Sequence, residues 1–77
     1  MHLIPQKLIM KNTIKVERAK NNLTQAQLAE LAKVTRQTIN AMELGKYAPS
    51  TILALRLATI FKVDVSELFI LEESDWK

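Results

Sequence analysis

Four side chains able to bond base edges stand close together in mid-chain: Arg36, Gln37, Thr38 and Asn40, within TRQTINAMELGK. On a helix, residues three and four apart share a face, so Arg36, Gln37 and Asn40 fall on one side and Ile39 and Met42 on the other. A forked Arg suits the two acceptors of guanine, and Gln or Asn can bond adenine at two points, so the polar face has the chemistry of base reading. Three polar residues on a helix are by default only a solvated surface. The preceding Thr24-Gln25 and the following Gly45-Lys46 tip the balance toward a nucleic-acid contact.

Positioning such a face requires a small helical frame, and the punctuation of the chain supplies one. Thr13 or Asn12 can cap a first helix over about 13–20, which stops at Asn21-Asn22. Thr24 caps a second helix over 25–32, with Leu28, Leu31 and Ala32 inward and Gln25, Gln27 and Glu30 on the wet side. Thr35 caps the third, which ends near Glu43 or Leu44. Gly45, the one glycine of the chain, stands where a left-handed residue ends a helix. Ser50 caps a fourth helix, 51–61, whose Leu53, Leu57 and Ile60 face the core beside Ala54 and Ala58. Asp64 caps a short fifth, 65–69. The flanking triplets Leu8-Ile9-Met10 and Phe69-Ile70-Leu71 can pair as a two-stranded ribbon; equally, residues 1–8 read as a loose tail or an extension ahead of a start at Met10. Glu72, Glu73 and Asp75 are expected to remain solvated.

With 77 residues, 48% of them hydrophobic, the chain has room for one core, built from Leu, Ile, Val, Ala and Met because only four residues are aromatic. One Gly and two Pro leave little for hairpin turns, so the expected fold class is all-α. There is no cysteine and a single His, His2, which excludes a disulfide framework and a zinc site. No window approaches the roughly 18 apolar residues of a membrane span, and the N-terminal segment is too short and too interrupted for a signal peptide, so a cytoplasmic location is expected. No paired carboxylates, Gly-rich phosphate loop or activated nucleophile suggests an enzyme. A net charge of +3 permits nucleic-acid binding without predicting it.

The positions Thr24-Gln25, Leu28-Ala29, Thr35-Arg36-Gln37-Thr38-Ile39 and Glu43, followed by Gly45-Lys46 and Pro49-Ser50, resemble the Xre-type, phage-repressor/Cro-like helix-turn-helix family over residues 12–69. The resemblance implies a compact five-helix DNA-binding domain, with 1–11 as an N-terminal extension or strand and 70–77 as a C-terminal tail or strand. It implies that the third helix enters the major groove while the second rests over the backbone. Carried over by position, Arg36, Gln37, Thr38 and Asn40 resemble base readers. Thr24, Gln25, Lys46, Tyr47 and Ser50 resemble backbone contacts, although Lys46 also suits a helix C-terminus and Tyr47 a lid over the core. Arg18 and Glu43 match a structural ion pair.

The chain departs from the family pattern at three points. Lys33 stands where Gly is usual, so that turn must either take positive φ at a steric cost or relax. Glu17 replaces an apolar residue, with Val16 placed to assume its packing role. Ile52 is apolar at a position usually polar, which marks it for a subunit contact. The expected function is sequence-specific regulation of transcription, as a homodimeric repressor on a near-palindromic double-stranded DNA operator, with no cofactor, metal or small-molecule effector. The alternative is a helical protein-interaction module of an antitoxin-like or coactivator-like kind.

Overall fold

A computed structural model describes residues 10–76. The strand expected at Leu8-Ile9, and His2, lie outside the described residues. The order is β1 (Lys11–Asn12), α1 (Ile14–Lys20), α2 (Gln25–Ala32), α3 (Arg36–Glu43), α4 (Thr51–Phe61), α5 (Val65–Leu68), β2 (Phe69–Ile70) and a terminal 3₁₀ turn, Glu73–Trp76. Among the described residues five α-helices thus carry the fold, as the periodicity predicts. None of them is long and apolar enough to cross a membrane.

Each helix start is held by side-chain chemistry. Thr24 and Gln27 form a reciprocal box: the Gln27 N–H donates to Thr24 Oγ1 at 3.0 Å and the Thr24 N–H to Gln27 Oε1 at 2.8 Å, satisfying two donors that the helix leaves open. Thr35 and Ser50 accept from the backbone N–H groups of Thr38 and Leu53. At α1 the Thr13 side chain makes no such bond; Asn12 Oδ1 accepts from the Ile14 N–H instead, at 3.2 Å. At α5 the Glu67 carboxylate accepts from the Asp64 N–H at 3.3 Å.

The core gathers Ile14, Leu28, Ala29, Ala32, Ile39, Met42, Leu53, Leu57, Ala58, Phe61 and Leu68 from all five helices. Two expectations fail here for a common geometric reason. The inner stripe of α2 runs through Leu28, Ala29 and Ala32, so Leu31 falls at its edge, 54% exposed, while Gln25, one turn before Leu28 and Ala29, lies on the stripe and is half-buried rather than wet. In α1 the inward side runs from Ile14 to Glu17 and Arg18; Val16 lies opposite, 54% exposed, and does not take over the packing of Glu17.

Among the described residues the ribbon pairs Lys11–Asn12 antiparallel with Phe69–Ile70, Lys11 opposite Ile70 and Asn12 opposite Phe69. Polar groups anchor it: Thr13 donates to Leu68 O through its N–H at 2.9 Å and to Glu67 O through its hydroxyl at 3.1 Å. Asn12 Nδ2 donates to Met42 O at 2.7 Å. Asp75 is not merely solvated, since its carboxylate accepts from the N–H groups of Glu72 at 2.7 Å and Met10 at 3.4 Å.

Candidate nucleic-acid interface

The turn between α2 and α3 sets the angle of α3. Lys33 takes φ 62° and ψ 44°, the left-handed region in which a Cβ crowds the following carbonyl. The conformation lets the Lys33 N–H reach Glu30 O at 3.3 Å and the Val34 N–H reach Ala29 O at 3.0 Å, closing the end of α2. Of the two outcomes open to a non-glycine residue here, the chain takes the strained one. Thr35 then starts α3 at once. Gly45, at φ 74° and buried, ends it: the N–H groups of Gly45 and Lys46 return to Met42 O and Ala41 O at 3.0 and 2.9 Å.

Between these stops Ile39 and Met42, at 0% and 1% exposure, fix α3 against the core. Arg36, Gln37 and Asn40 are exposed on the other side, and Thr38 is half-buried, its Oγ1 3.0 Å from Thr35 Oγ1. Arg36 and Asn40 are one turn apart and do not stand alone: both reach Gln25 on α2.

Gln25 occupies the centre of a polar chain. Its Nε2 lies 3.1 Å from both Asn40 Oδ1 and Glu43 Oε1, and its Oε1 accepts a long 3.4 Å bond from Arg36 Nη1. Glu43 in turn accepts from Arg18 Nε at 2.7 Å and Nη2 at 3.2 Å, a two-pronged geometry that planar guanidinium and carboxylate groups favour. Arg18 Nη1 donates also to Leu23 O at 3.0 Å. The Glu43 side chain is 6% exposed and that of Arg18 17%. Hydrogen bonding to Glu43 raises the Arg18 pKa above its ordinary value, with burial opposing and the carboxylate charge assisting.

Arg18, Thr24, Gln25, Ala26 and Arg36 line one cleft at the start of α2, where the first backbone N–H groups of the helix have no intrahelical acceptor. The exposed Arg36 guanidinium beside such donors makes a setting suited to an anion, while the Arg18 charge is offset by Glu43. Beyond α3, Lys46 and Tyr47 are exposed, and Ser50 is exposed with its Oγ accepting from the Leu53 N–H at 3.1 Å, which leaves its hydroxyl proton to donate. Sequence reading missed the inward aspect of Gln25 and its link to three other residues; the helical spacing of Gln25 from Leu28 and Ala29 carried that signal. Among the described residues no group of His, Cys, Asp and Glu could hold a metal ion.

A family model described as helix-turn-helix matches residues 14–68. An uncharacterized helix-turn-helix-type transcriptional regulator of Methanocaldococcus jannaschii is 48% identical over 66 residues, spanning 86% of this chain and 100% of that relative. One of Bacillus subtilis is 42% identical with the same coverage of both chains. Among solved structures, the restriction-modification controller protein C.AhdI from Aeromonas hydrophila superposes with a TM-score of 0.67 at 30% identity, over 73% of this chain and 85% of that one. The SOS-response transcriptional repressor LexA from Eubacterium rectale does so with 0.70 at 26% identity, over 79% and 65%.

Proposed function

The chain belongs to the helix-turn-helix family of DNA-binding transcriptional regulators, and from that premise we propose that it is a sequence-specific, homodimeric repressor acting in the cytoplasm. The domain responsible is residues 12–69. The observation that carries the reading is the division of α3, with Ile39 and Met42 sealed beneath and Arg36, Gln37 and Asn40 exposed above. A helix so divided can lie in a major groove with those three side chains, and Thr38 at its edge, toward the bases. The cleft at the start of α2 supports a phosphate contact through backbone N–H groups, Thr24 and the edge of Gln25, with Lys46, Tyr47 and Ser50 gripping the backbone on the far side.

One such domain spans few base pairs, so useful specificity calls for two copies on a near-palindromic operator, half-sites about 34 Å apart. Supporting a second copy is an apolar surface in which Ile52, 66% exposed, and Leu55, 52%, continue toward Val65 and Phe69; Ile70 and Leu71, next along the chain, are exposed as well. The mechanism proposed is repression by occluding polymerase, with no cofactor or small-molecule effector required. The test is a fluorescence-anisotropy titration on duplex DNA at several salt concentrations. A regulator of this kind binds one selected duplex far more tightly than a scrambled one, with log affinity falling by about 0.9 per neutralised phosphate for each tenfold rise in salt. Equal binding to both duplexes at every salt concentration refutes sequence-specific reading.

A further inference from the structure

Leu44 is an apolar residue in a polar place. It follows Gln37 by seven positions and Asn40 by four, so it stands on the same stripe of α3 as those two, away from Ile39 and Met42. It is 51% exposed. A single exposed leucine is ordinary on a protein surface, but this one lies between exposed Gln37 and Asn40 on one side and exposed Lys46 and Tyr47 on the other. Its place is also fixed. The Leu44 N–H donates to Asn40 O at 3.0 Å, and the nearby Met42 carbonyl is held by the Gly45 N–H at 3.0 Å and by Asn12 Nδ2 at 2.7 Å. Gly45, left-handed, then ends the helix, so Leu44 is the last side chain on that stripe.

Beside phosphates an apolar side chain gains little; against a methyl group both surfaces leave water together. Thymine alone among the four bases shows the major groove a methyl group, which apolar side chains read by contact rather than by hydrogen bonding. At a rise of about 1.5 Å per residue, Leu44 lies about 6 Å along α3 from Asn40, within about two base pairs of the pair that Asn40 would face. We propose that Leu44 is a specificity-determining residue that recognises the C5 methyl group of a thymine in each half-site. The proposal rests on α3 lying in the major groove, and goes beyond that reading in naming a residue outside the polar set and the chemical group on DNA that it recognises.

The experiment begins with selection by the full chain from duplex DNA with a randomised core of about 20 base pairs, enough for two half-sites one turn apart. Each thymine of the selected duplex is then exchanged for deoxyuridine, at matched positions of the two half-sites, which removes the C5 methyl and leaves every hydrogen-bonding group in place. Anisotropy titrations with the wild type, Leu44→Ala and Leu44→Met give the ratio of affinities for the thymine and uracil duplexes. The wild type is expected to lose about fourfold per half-site at one thymine position, the equivalent of one methyl group withdrawn from burial. At that position Leu44→Ala is expected to bring the ratio to about one, and Leu44→Met, still apolar, to retain most of it. A purely structural role for Leu44 would weaken both duplexes alike and leave the ratio unmoved. Should Leu44→Ala fail to fold, Leu44→Gln, similar in length but polar, decides in its place. A selected site without thymine, a wild type indifferent to every uracil, or a thymine preference undiminished in Leu44→Ala overturns the assignment while leaving DNA reading intact. A pool that yields no common sequence overturns both.

Discussion

Replacing Glu43 with Ala tests the link between α3 and the rest of the domain most directly. The substitution removes a carboxylate only 6% exposed that accepts two bonds from Arg18 and one from Gln25. Arg18 keeps only its bond to Leu23 O at 3.0 Å, so most of a guanidinium charge is left inside without a counter-charge. Removing one partner from a fully buried pair costs about 3–5 kcal/mol, because the survivor is stranded. The Arg18 side chain is 17% exposed and can recover some hydration, which brings the expected loss to about 2–3 kcal/mol. In a domain of this size each kcal/mol moves the midpoint by about 4–8 °C, so circular dichroism at the helix band should show melting about 10–20 °C lower. Arg18→Met completes a double-mutant cycle, and the pair should show a coupling of about 1–3 kcal/mol. A Glu43→Ala protein that melts within about 3 °C of the wild type would refute the view that this pair holds α1 to α3.

Three further outcomes are expected. Lys33→Gly relieves a left-handed residue worth about 1–2 kcal/mol of strain and returns part of it as unfolded-chain entropy, for a net gain of about 0.5 kcal/mol and a midpoint raised by about 2–4 °C in the same melt; a lower midpoint would show that the turn carries no strain. Arg36→Ala and Gln37→Ala should each cost about 1–3 kcal/mol on the selected duplex and little on scrambled DNA by anisotropy, and equal losses on both would assign these residues to the backbone. Truncation after Phe69 removes Ile70 and Leu71 and should dissociate the proposed dimer in sedimentation velocity, whereas a dimer of undiminished stability would place the subunit contact elsewhere.

Where a residue type has one local use, the sequence revealed it well. Thr24, Thr35 and Ser50 begin helices in the places their hydroxyls predict, and the one glycine closes α3. Faces were legible to within a fraction of a turn and no better: an eight-residue helix has too few apolar positions to fix its angle, so Leu31 read as core and Gln25 as solvent. The ribbon was visible as two apolar triplets, but its register was not, because the anchoring is polar: Thr13 holds Glu67 and Leu68, and Asn12 holds Met42. The site divides in the same way. The exposed face of α3 follows from spacing alone, whereas the chain from Arg18 through Glu43 and Gln25 to Arg36 depends on how three helices meet, which no local pattern encodes.

The ribbon of Lys11–Asn12 with Phe69–Ile70 makes the domain a belt fastened at a single buckle. Closing a long loop of chain is entropically costly, with a cost that rises only slowly with length, so the clasp is cheapest to fasten once the helices have docked and brought the two strands within reach. Its tongue is Asn12, which both begins α1 and grips the last turn of α3 through Met42 O. A load applied to either strand, from a fused domain or a neighbouring subunit, therefore reaches the end of α3 through one amide, without crossing the core.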